Sequence, residues 1–301
     1  MIRRTLCLLL GLALFGCGGV SKLDRPPTEL EMLNRSAGLA FSRGRYAQAA
    51  TLYQATLDRA LIEDNPAAIV DARFNLALSQ VSLGRYQTAL DLVTLAEAER
   101  VRRSLGPDPE LQLLRATIHY RAGDAAGSQR VLDPLLSERA LSPSTSAKVQ
   151  FLAGVMAADR SDVPALRSHR DALPGGDTRG EQADRLELEG RLAAIEGDAD
   201  EALRRLERAA LLRSQDGDYR GMVRTLVVAG IVAERTGRAE AAGGYWLRAG
   251  RSGAQRGEPE ARAWLENARA LGGRTGDAAL ILEADAMLTE LGAPAVPAGA
   301  R

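Results

Sequence analysis

Cysteine is almost absent from this 301-residue chain, which holds only Cys7 and Cys17. Two cysteines cannot build a disulfide framework or a cysteine-rich zinc site. Histidine is as scarce: His119 and His169 stand far apart, so there is no i, i+4 pair to hold a metal, and no metal site is expected. Aromatic residues make up 4%, too few for a sheet-rich fold, which draws on aromatic and β-branched side chains. A surplus of charge is missing too, since 39 basic residues face 39 acidic ones. A nucleic-acid binder needs a basic excess to neutralise phosphates, so no nucleic-acid partner is expected. Lysine occurs only at 22 and 148, against 37 arginines, a skew that reads as genomic base composition rather than chemistry. What fills the chain is 52 Ala and 45 Leu, the composition of a helical protein.

The N-terminus carries an address. Arg3 and Arg4 precede an uncharged run from Thr5 to Phe15, the length of a signal-peptide core and too short to span a bilayer. The run ends in Leu14-Phe15-Gly16-Cys17, which resembles the bacterial lipobox, where a small residue precedes the cysteine to be lipidated. An ordinary secretory signal that happens to contain a cysteine is the alternative. The resemblance implies that residues 1–16 are removed and that Cys17 becomes the first residue, carrying diacylglycerol and an N-acyl chain such as palmitate. Several chains together hold a protein firmly, at roughly 0.8 kcal/mol per buried methylene. Cys7 would leave with the signal, and Cys17 would then have no thiol partner. Gly18 follows the cysteine rather than the Asp that retains enteric lipoproteins at the inner membrane. The resemblance therefore implies the outer membrane, facing the periplasm. Residues 17–28 read as the lipidated cysteine and a flexible tether reaching about 35 Å at most.

The remainder repeats one unit. Gly44-Arg45-Tyr46-Ala47-Gln48-Ala49 returns as Gly84-Arg85-Tyr86-Gln87-Thr88-Ala89, with weaker copies anchored at Gly123, Ser161, Gly197 and Gly237. Seven residues before each anchor stands a small residue, Ala37, Ala77, Ala116, Gly154, Gly190 or Gly230. Five residues after it stand Ala49, Ala89, Ser128, Leu166, Ala202 and Ala242. A small side chain two turns before a glycine lets one helix approach its partner. The glycine suits a left-handed turn, and a second helix follows. The pattern resembles the tetratricopeptide repeat, a helical hairpin with small, Gly, Tyr and Ala marks in that order. Tyr53 and Trp246 fit its bulky second-helix position, and Ala96, Ala209 and Ala249 its later small one.

The resemblance covers residues 29–291 and implies an all-α, right-handed solenoid of six to seven hairpins. Thr28-Glu29-Leu30-Glu31 forms a capping box, and Asn65-Pro66, Asp108-Pro109 and Ser142-Pro143 each pair an N-cap with Pro at N1. These starts fall later than a 34-residue repeat would place them, so longer second helices are predicted. A last hairpin is predicted over about 259–271 and 277–291, and residues 292–301 read as a loose tail. The composition break at 172–182, with Leu173-Pro174-Gly175-Gly176-Asp177, reads as a bend in the superhelix or as a hinge.

Catalytic chemistry finds no foothold. The sequence has no nucleophile elbow, no Ser-x-x-Lys and no phosphate-cradling glycine loop, so neither an enzyme nor a cofactor is expected. His119 reads as a packed structural histidine. Asp216-Gly217-Asp218 reads as a helix cap rather than a calcium loop, because no closing Glu follows. Arg100, Arg102 and Arg103 after Glu97 and Glu99, like Glu201 to Arg205, read as helix-end pairing rather than a basic patch. Function is then expected on the concave groove lined by first helices, suited to an extended peptide or a partner helix. Mapping that face gives Asn34, Asn75, Tyr120, Arg121, Glu187, Arg191, Arg224, Glu234 and Arg235. Tyr120 and Arg191 lead, since aromatic and Arg side chains dominate interfaces. Asn34 and Gly38 stand where the carboxylate clamp of resembling repeats needs Lys and Asn, which excludes that ligand class. The expected role is an envelope adapter or assembly scaffold that binds protein partners. The alternative is a solenoid that binds a small ligand or a glycan.

Overall fold

Six turns set the architecture. The computed structural model describes residues 26–174 and 176–292. The expected signal peptide, Cys17, most of the tether, Gly175 and residues 293–301 lie outside the described residues. At Gly44, Gly84, Gly123, Gly197 and Gly237 the backbone turns left-handed, with φ between 71° and 87°. Ser161 fills the same slot in the fourth repeat at φ 56°, without the freedom of glycine. A side chain costs roughly 1–2 kcal/mol in this conformation. Ser161→Gly is therefore expected to raise the unfolding free energy by about 1 kcal/mol in a denaturant titration. A stability at or below that of the parent would contradict it.

Between these turns the chain forms fourteen helices among the described residues, paired into seven hairpins. They are α1 (Glu29–Ser42) with α2 (Tyr46–Ile62), α3 (Pro66–Ser82) with α4 (Tyr86–Arg102), and α5 (Pro109–Arg121) with α6 (Ala125–Ser137). Then come α7 (Pro143–Asp159) with α8 (Val163–Asp171), α9 (Arg179–Glu196) with α10 (Ala199–Gln215), α11 (Tyr219–Arg235) with α12 (Ala239–Ala254), and α13 (Ala261–Thr275) with α14 (Ala278–Glu290). The capping box at Thr28 is present, and Asn65, Asp108, Ser142 and Asp218 each accept a backbone N–H from the first turn of their helix. Lengthening is not confined to second helices. Both α3 and α4 have 17 residues, and α9 has 18. The lengthening is uneven along the array: α5 and α6 have 13 residues each, and α8 stops after 9.

Packing explains the repeat marks. The residues five after each anchor, from Ala49 to Ala242, have no exposed surface at all. The small residues seven before the anchors are buried, and a Cβ built on Gly190 would meet Leu206 Cγ at 2.8 Å and the Ala202 carbonyl oxygen at 3.1 Å. The composition break ends earlier than its composition indicates. Thr178 caps α9 with a second capping box, so residues 179–182 are helical. The connection before it is held in place: Arg185 donates to the carbonyl oxygens of Leu173 and Pro174, at 2.7 and 3.0 Å.

The array closes on itself. The α12–α13 connection returns to the first two hairpins, where a Cβ on Gly44 would meet Arg256 Cγ at 2.8 Å and one on Gly84 would meet Pro259 Cγ at 3.4 Å. Arg220, at the start of α11, donates to Ser82 Oγ at the end of α3, 138 residues away in sequence. Its guanidinium also donates to Glu258 Oε1 at 2.9 Å and lies over the Tyr46 ring at 5.0 Å. Arg256 covers the Tyr219 ring at 4.0 Å. The hairpins thus make one turn that meets its own beginning.

Candidate functional site

The closed turn surrounds a central cavity with two adjoining lobes of about 310 and 330 Å3. Its walls come from first helices of the hairpins and from Glu258 and Glu260 just before α13, and no second helix contributes. Arg220, Arg224, Val227, Val228 and Ile231 follow one another at helical spacing along α11, which aims one face of that helix inward. One lobe is walled by these valines, Ile231 and Trp264, the other by Leu78, Leu113, Phe151 and Val155. Tyr120, Arg121, Arg191, Arg220 and Arg224 border both lobes.

A chain of polar contacts fixes one wall. The Tyr120 hydroxyl donates to Asp159 Oδ2 at 2.6 Å, and Arg191 reaches Asp159 Oδ1 at 3.3 Å. Arg191 donates to Glu187 Oε1 at 2.9 Å, while Glu187 Oε2 pairs with Arg213 at 2.8 Å and accepts from Thr225 Oγ1 at 2.9 Å. Arg213 also donates to Asp184 at 2.7 Å and to the Gly221 carbonyl at 3.1 Å, and stacks over Phe151 at 5.3 Å. Glu187 and Arg213 are each only 2% exposed. Burial pushes the Glu187 carboxyl up, but Arg213 and Arg191 outweigh it and hold it down to about 2. Asp184 goes the other way: burial, only partly offset by Arg213, raises it to about 6. Burial and the hydrogen bond to Asp159 raise the Tyr120 phenol, which stays neutral.

Five of the nine residues mapped to the groove, Tyr120, Arg121, Glu187, Arg191 and Arg224, come together around this cavity. Within the set, Glu187 serves the wall: its carboxylate is taken up by Arg191, Arg213 and Thr225. The other four do not line the cavity. Asn34 is exposed on α1, and Asn75 donates to the Asp71 carbonyl of its own helix at 2.9 Å. Glu234 pairs with Arg274 at 2.8 Å, and Arg235 is exposed near the end of α11. Sequence reasoning missed Lys148, Asp159, Arg220, Phe151 and Trp264. Lys148 and Phe151 sit on α7 at helical spacing from Val155 and carry a weak signal, as does Arg220, one turn before Arg224 on α11, whereas its partners Ser82 and Glu258 reach it only because the ring closes.

Charged pairs outside the cavity act on structure. Glu99 is buried and holds Arg102 and Arg103, and Arg103 crosses to Asp64. Arg100 donates to the carbonyls of Leu105, Gly106 and Pro107. Arg205 ties Glu201 to Glu189 of the neighbouring helix. His119 Nδ1 lies 2.9 Å from Asp124 Oδ2, whose other oxygen caps α6, and His169 Nδ1 lies 2.8 Å from Gln150 Oε1. Among the described residues no group of three or more His, Cys, Asp or Glu side chains is placed to hold a metal ion, and no helix is long and apolar enough to cross a membrane.

This architecture defines a class: an all-α solenoid of tetratricopeptide-type hairpins. No family model matches the chain, and no curated protein matches it in sequence. Its likeness to solved structures is one of fold. The chain is similar to NprR in complex with its cognate peptide NprX, with a TM-score of 0.60 and 14% identity over 87% of this chain and 79% of that one. It is similar to a Rap protein complexed with Competence and Sporulation Factor, with a TM-score of 0.55 and 13% identity over 88% of each chain. It also matches the APC/C hetero-tetramer Cut9-Hcn1 at a TM-score of 0.52 and 14% identity, over 90% of this chain and 44% of that one.

Proposed function

We propose that this protein is a binding adapter that holds an extended protein segment in the cavity of its closed solenoid, and that catalysis is not its task. One observation carries the reading: an inward face of apolar and arginine side chains runs across six successive hairpins, from Leu78 to Trp264, around an accessible cavity. Such a surface suits an extended chain, whose side chains fill apolar subsites while its polar groups meet fixed donors. The solved structures of similar fold include one bound to a cognate peptide and one bound to a sporulation factor, which supports the same use here. The lobe volumes lie at the small end of those that hold small ligands, and this favours a small-ligand or glycan module as the second reading.

The place of action in this proposal is the periplasmic face of the outer membrane. Cys17 carries the lipid, and the partner belongs to a cell-envelope machine whose assembly the adapter assists. Two experiments test it. Cys17→Ala is expected to move the protein from membrane to soluble fractions or to leave it unprocessed, and unchanged processing and membrane retention would contradict the anchor. The full chain, extracted in detergent, is expected to copurify with a discrete protein that Ile231→Glu, a charge placed on the cavity wall, releases. Retention of that protein by the variant would contradict binding in the cavity.

A further inference from the structure

Where α2 and α4 end, the solenoid turns apolar side chains to the solvent. Ile62 and Val101, 76% and 80% exposed, are the two most exposed large apolar side chains among the described residues. Ile62 is the last residue of α2, and Val101 stands one residue before the end of α4. Leu61 and Leu105, each about half exposed, flank them in the chain. The two helix ends are joined, because Arg103 after α4 pairs with Asp64 after α2. Arg100 fixes the loop that carries Leu105, donating to the carbonyl oxygens of Leu105 and Gly106 at 3.1 Å each. The repeat supplies its own comparison. At 17 and 18 residues after the turn anchors, the first hairpin has Leu61-Ile62 and the second Val101-Arg102, but the fifth and sixth have Ser214-Gln215 and Ala254-Gln255. The fold does not demand an apolar side chain at this place.

The chain enters the fold on this same edge. Glu29, the first residue of α1, pairs with Arg59, one turn before the end of α2, at 3.2 Å. Pro26 follows Cys17 by nine residues, which span at most about 32 Å. A lipid on Cys17 therefore keeps the edge within reach of the bilayer. The other ends of α2 and α4 lie beside Gly44 and Gly84, where the ring closes. Their 17 residues of helix put about 24 Å between closure and apolar edge, so closure leaves the edge free. Its carboxylates are largely neutralised: Arg59 holds Glu29 and Glu63, Arg103 holds Asp64, Arg102 holds Glu99, and Arg100 holds Asp108. Glu110, in the first turn of α5, stays exposed. The edge has no cationic surplus, and what it offers a bilayer is apolar contact.

We infer that this edge seats the protein on the membrane: Leu61, Ile62, Val101 and Leu105 enter the boundary between headgroups and acyl chains of the bilayer that holds the Cys17 lipid, and so fix the orientation of the ring. The inference rests on the reading of Cys17 as the lipid-bearing residue. Four apolar side chains do not hold a protein at a membrane by themselves. The anchor makes their contact intramolecular, at a high effective concentration, so a weak contact is enough to set orientation. Seated in this way, α2 and α4 meet the bilayer with their C-terminal ends, and the seam at Gly44 and Gly84 lies on the far side. A cluster of exposed apolar side chains marks a contact surface, which single scattered ones do not.

The test uses the full-length mature protein reconstituted in phosphatidylcholine vesicles. A polarity-sensitive fluorophore is attached to a cysteine introduced as Ile62→Cys or Val101→Cys, with Gln215→Cys, exposed and in the register of Ile62, as the control. All three side chains are exposed, so each variant should keep the parent's circular dichroism. With Cys17 lipidated, each chain takes one label. The labels at 62 and 101 are expected to be quenched by brominated acyl chains, and by aqueous iodide roughly threefold less than the label at 215. Ile62→Glu is expected to return the label at 101 to the value found at 215. Labels at 62 and 101 as open to iodide as the one at 215, on protein that floats with the vesicles, would overturn the seating edge and leave the anchor standing. Protection in native membranes with none in pure lipid would overturn the lipid occupant and show a protein one. A second label on an unmodified Cys17, with no flotation, would overturn the anchor and the seating with it.

Discussion

Arg213→Leu is expected to lower the unfolding free energy by about 3–5 kcal/mol, the usual cost of stripping one partner from a buried ion pair. Arg213 sits where α9, α10 and α11 meet and binds Glu187, Asp184, Thr225 and the Gly221 carbonyl. Its removal leaves Glu187, 2% exposed, with Arg191 as its remaining ion-pair partner. Leucine replaces the stem of the side chain but none of the donors. A solenoid is held by neighbour contacts, so the loss should fall first on α9 to α11 rather than on the whole array. Hydrogen exchange then shows early opening of residues 179–235 while α2 to α4 keep their protection. Uniform loss, or a change under about 1 kcal/mol, would contradict this account of the wall. Replacing Glu187 and Arg213 together by apolar residues is expected to cost less than the sum of the single changes.

The same network sets the response to pH, in two opposite senses. Glu187 is held at about 2, below its ordinary 4.5, so the stability it contributes is complete above 4.5 and disappears only as the pH falls toward 2. Asp184 is raised to about 6 from 3.8, so between those values the native state holds a proton that the unfolded chain has released. Its contribution therefore shrinks as the pH rises through that window.

The second large effect concerns closure. Arg220→Ala is expected to open the ring, because that one side chain joins Ser82 and Tyr46 of the first two hairpins to Glu258 of the returning connection. Glu258, itself buried, would be left without its cation, at about 2–3 kcal/mol for the charged hydrogen bonds lost. In solution scattering the variant should show a larger radius of gyration. Protection from hydrogen exchange should fall at Gly84 and at residues 256–258, where the surfaces now meet. Arg220→Lys keeps a charge but not the planar fork that stacks on Tyr46 and binds Glu258, so an intermediate effect is expected. An unchanged radius and unchanged protection in Arg220→Ala would show that closure does not depend on the seam.

Local features of this fold were plain in the sequence. The capping box at Thr28, the Asx-Pro starts at 65 and 108, and the glycine anchors speak of one turn of backbone at a time, and the structure shows each of them. Ser161 was legible as an anchor only through its spacing, since a serine carries no left-handed signal of its own. The inward set was half legible. Tyr120, Arg121, Arg191 and Arg224 follow from helix phase within a repeat, which does not depend on distant parts of the chain. Arg220 and the end of α3 were beyond reach, because their meeting depends on the sum of many small rotations between hairpins. The same sum leaves Asn34 and Arg235 off the cavity wall, although their phase within the repeat resembles that of residues that line it.

The central claim is that the cavity receives a protein segment, and in-cell photo-crosslinking tests it most directly. A photoreactive amino acid placed at Lys148 or at Ile231, which border different lobes, faces whatever occupies the ring. The same residue at Arg208, exposed on the second helix α10, serves as the control. The account predicts one discrete protein adduct from both cavity positions and none from Arg208. Silence at Lys148 and Ile231, or the same adduct from Arg208, would contradict it.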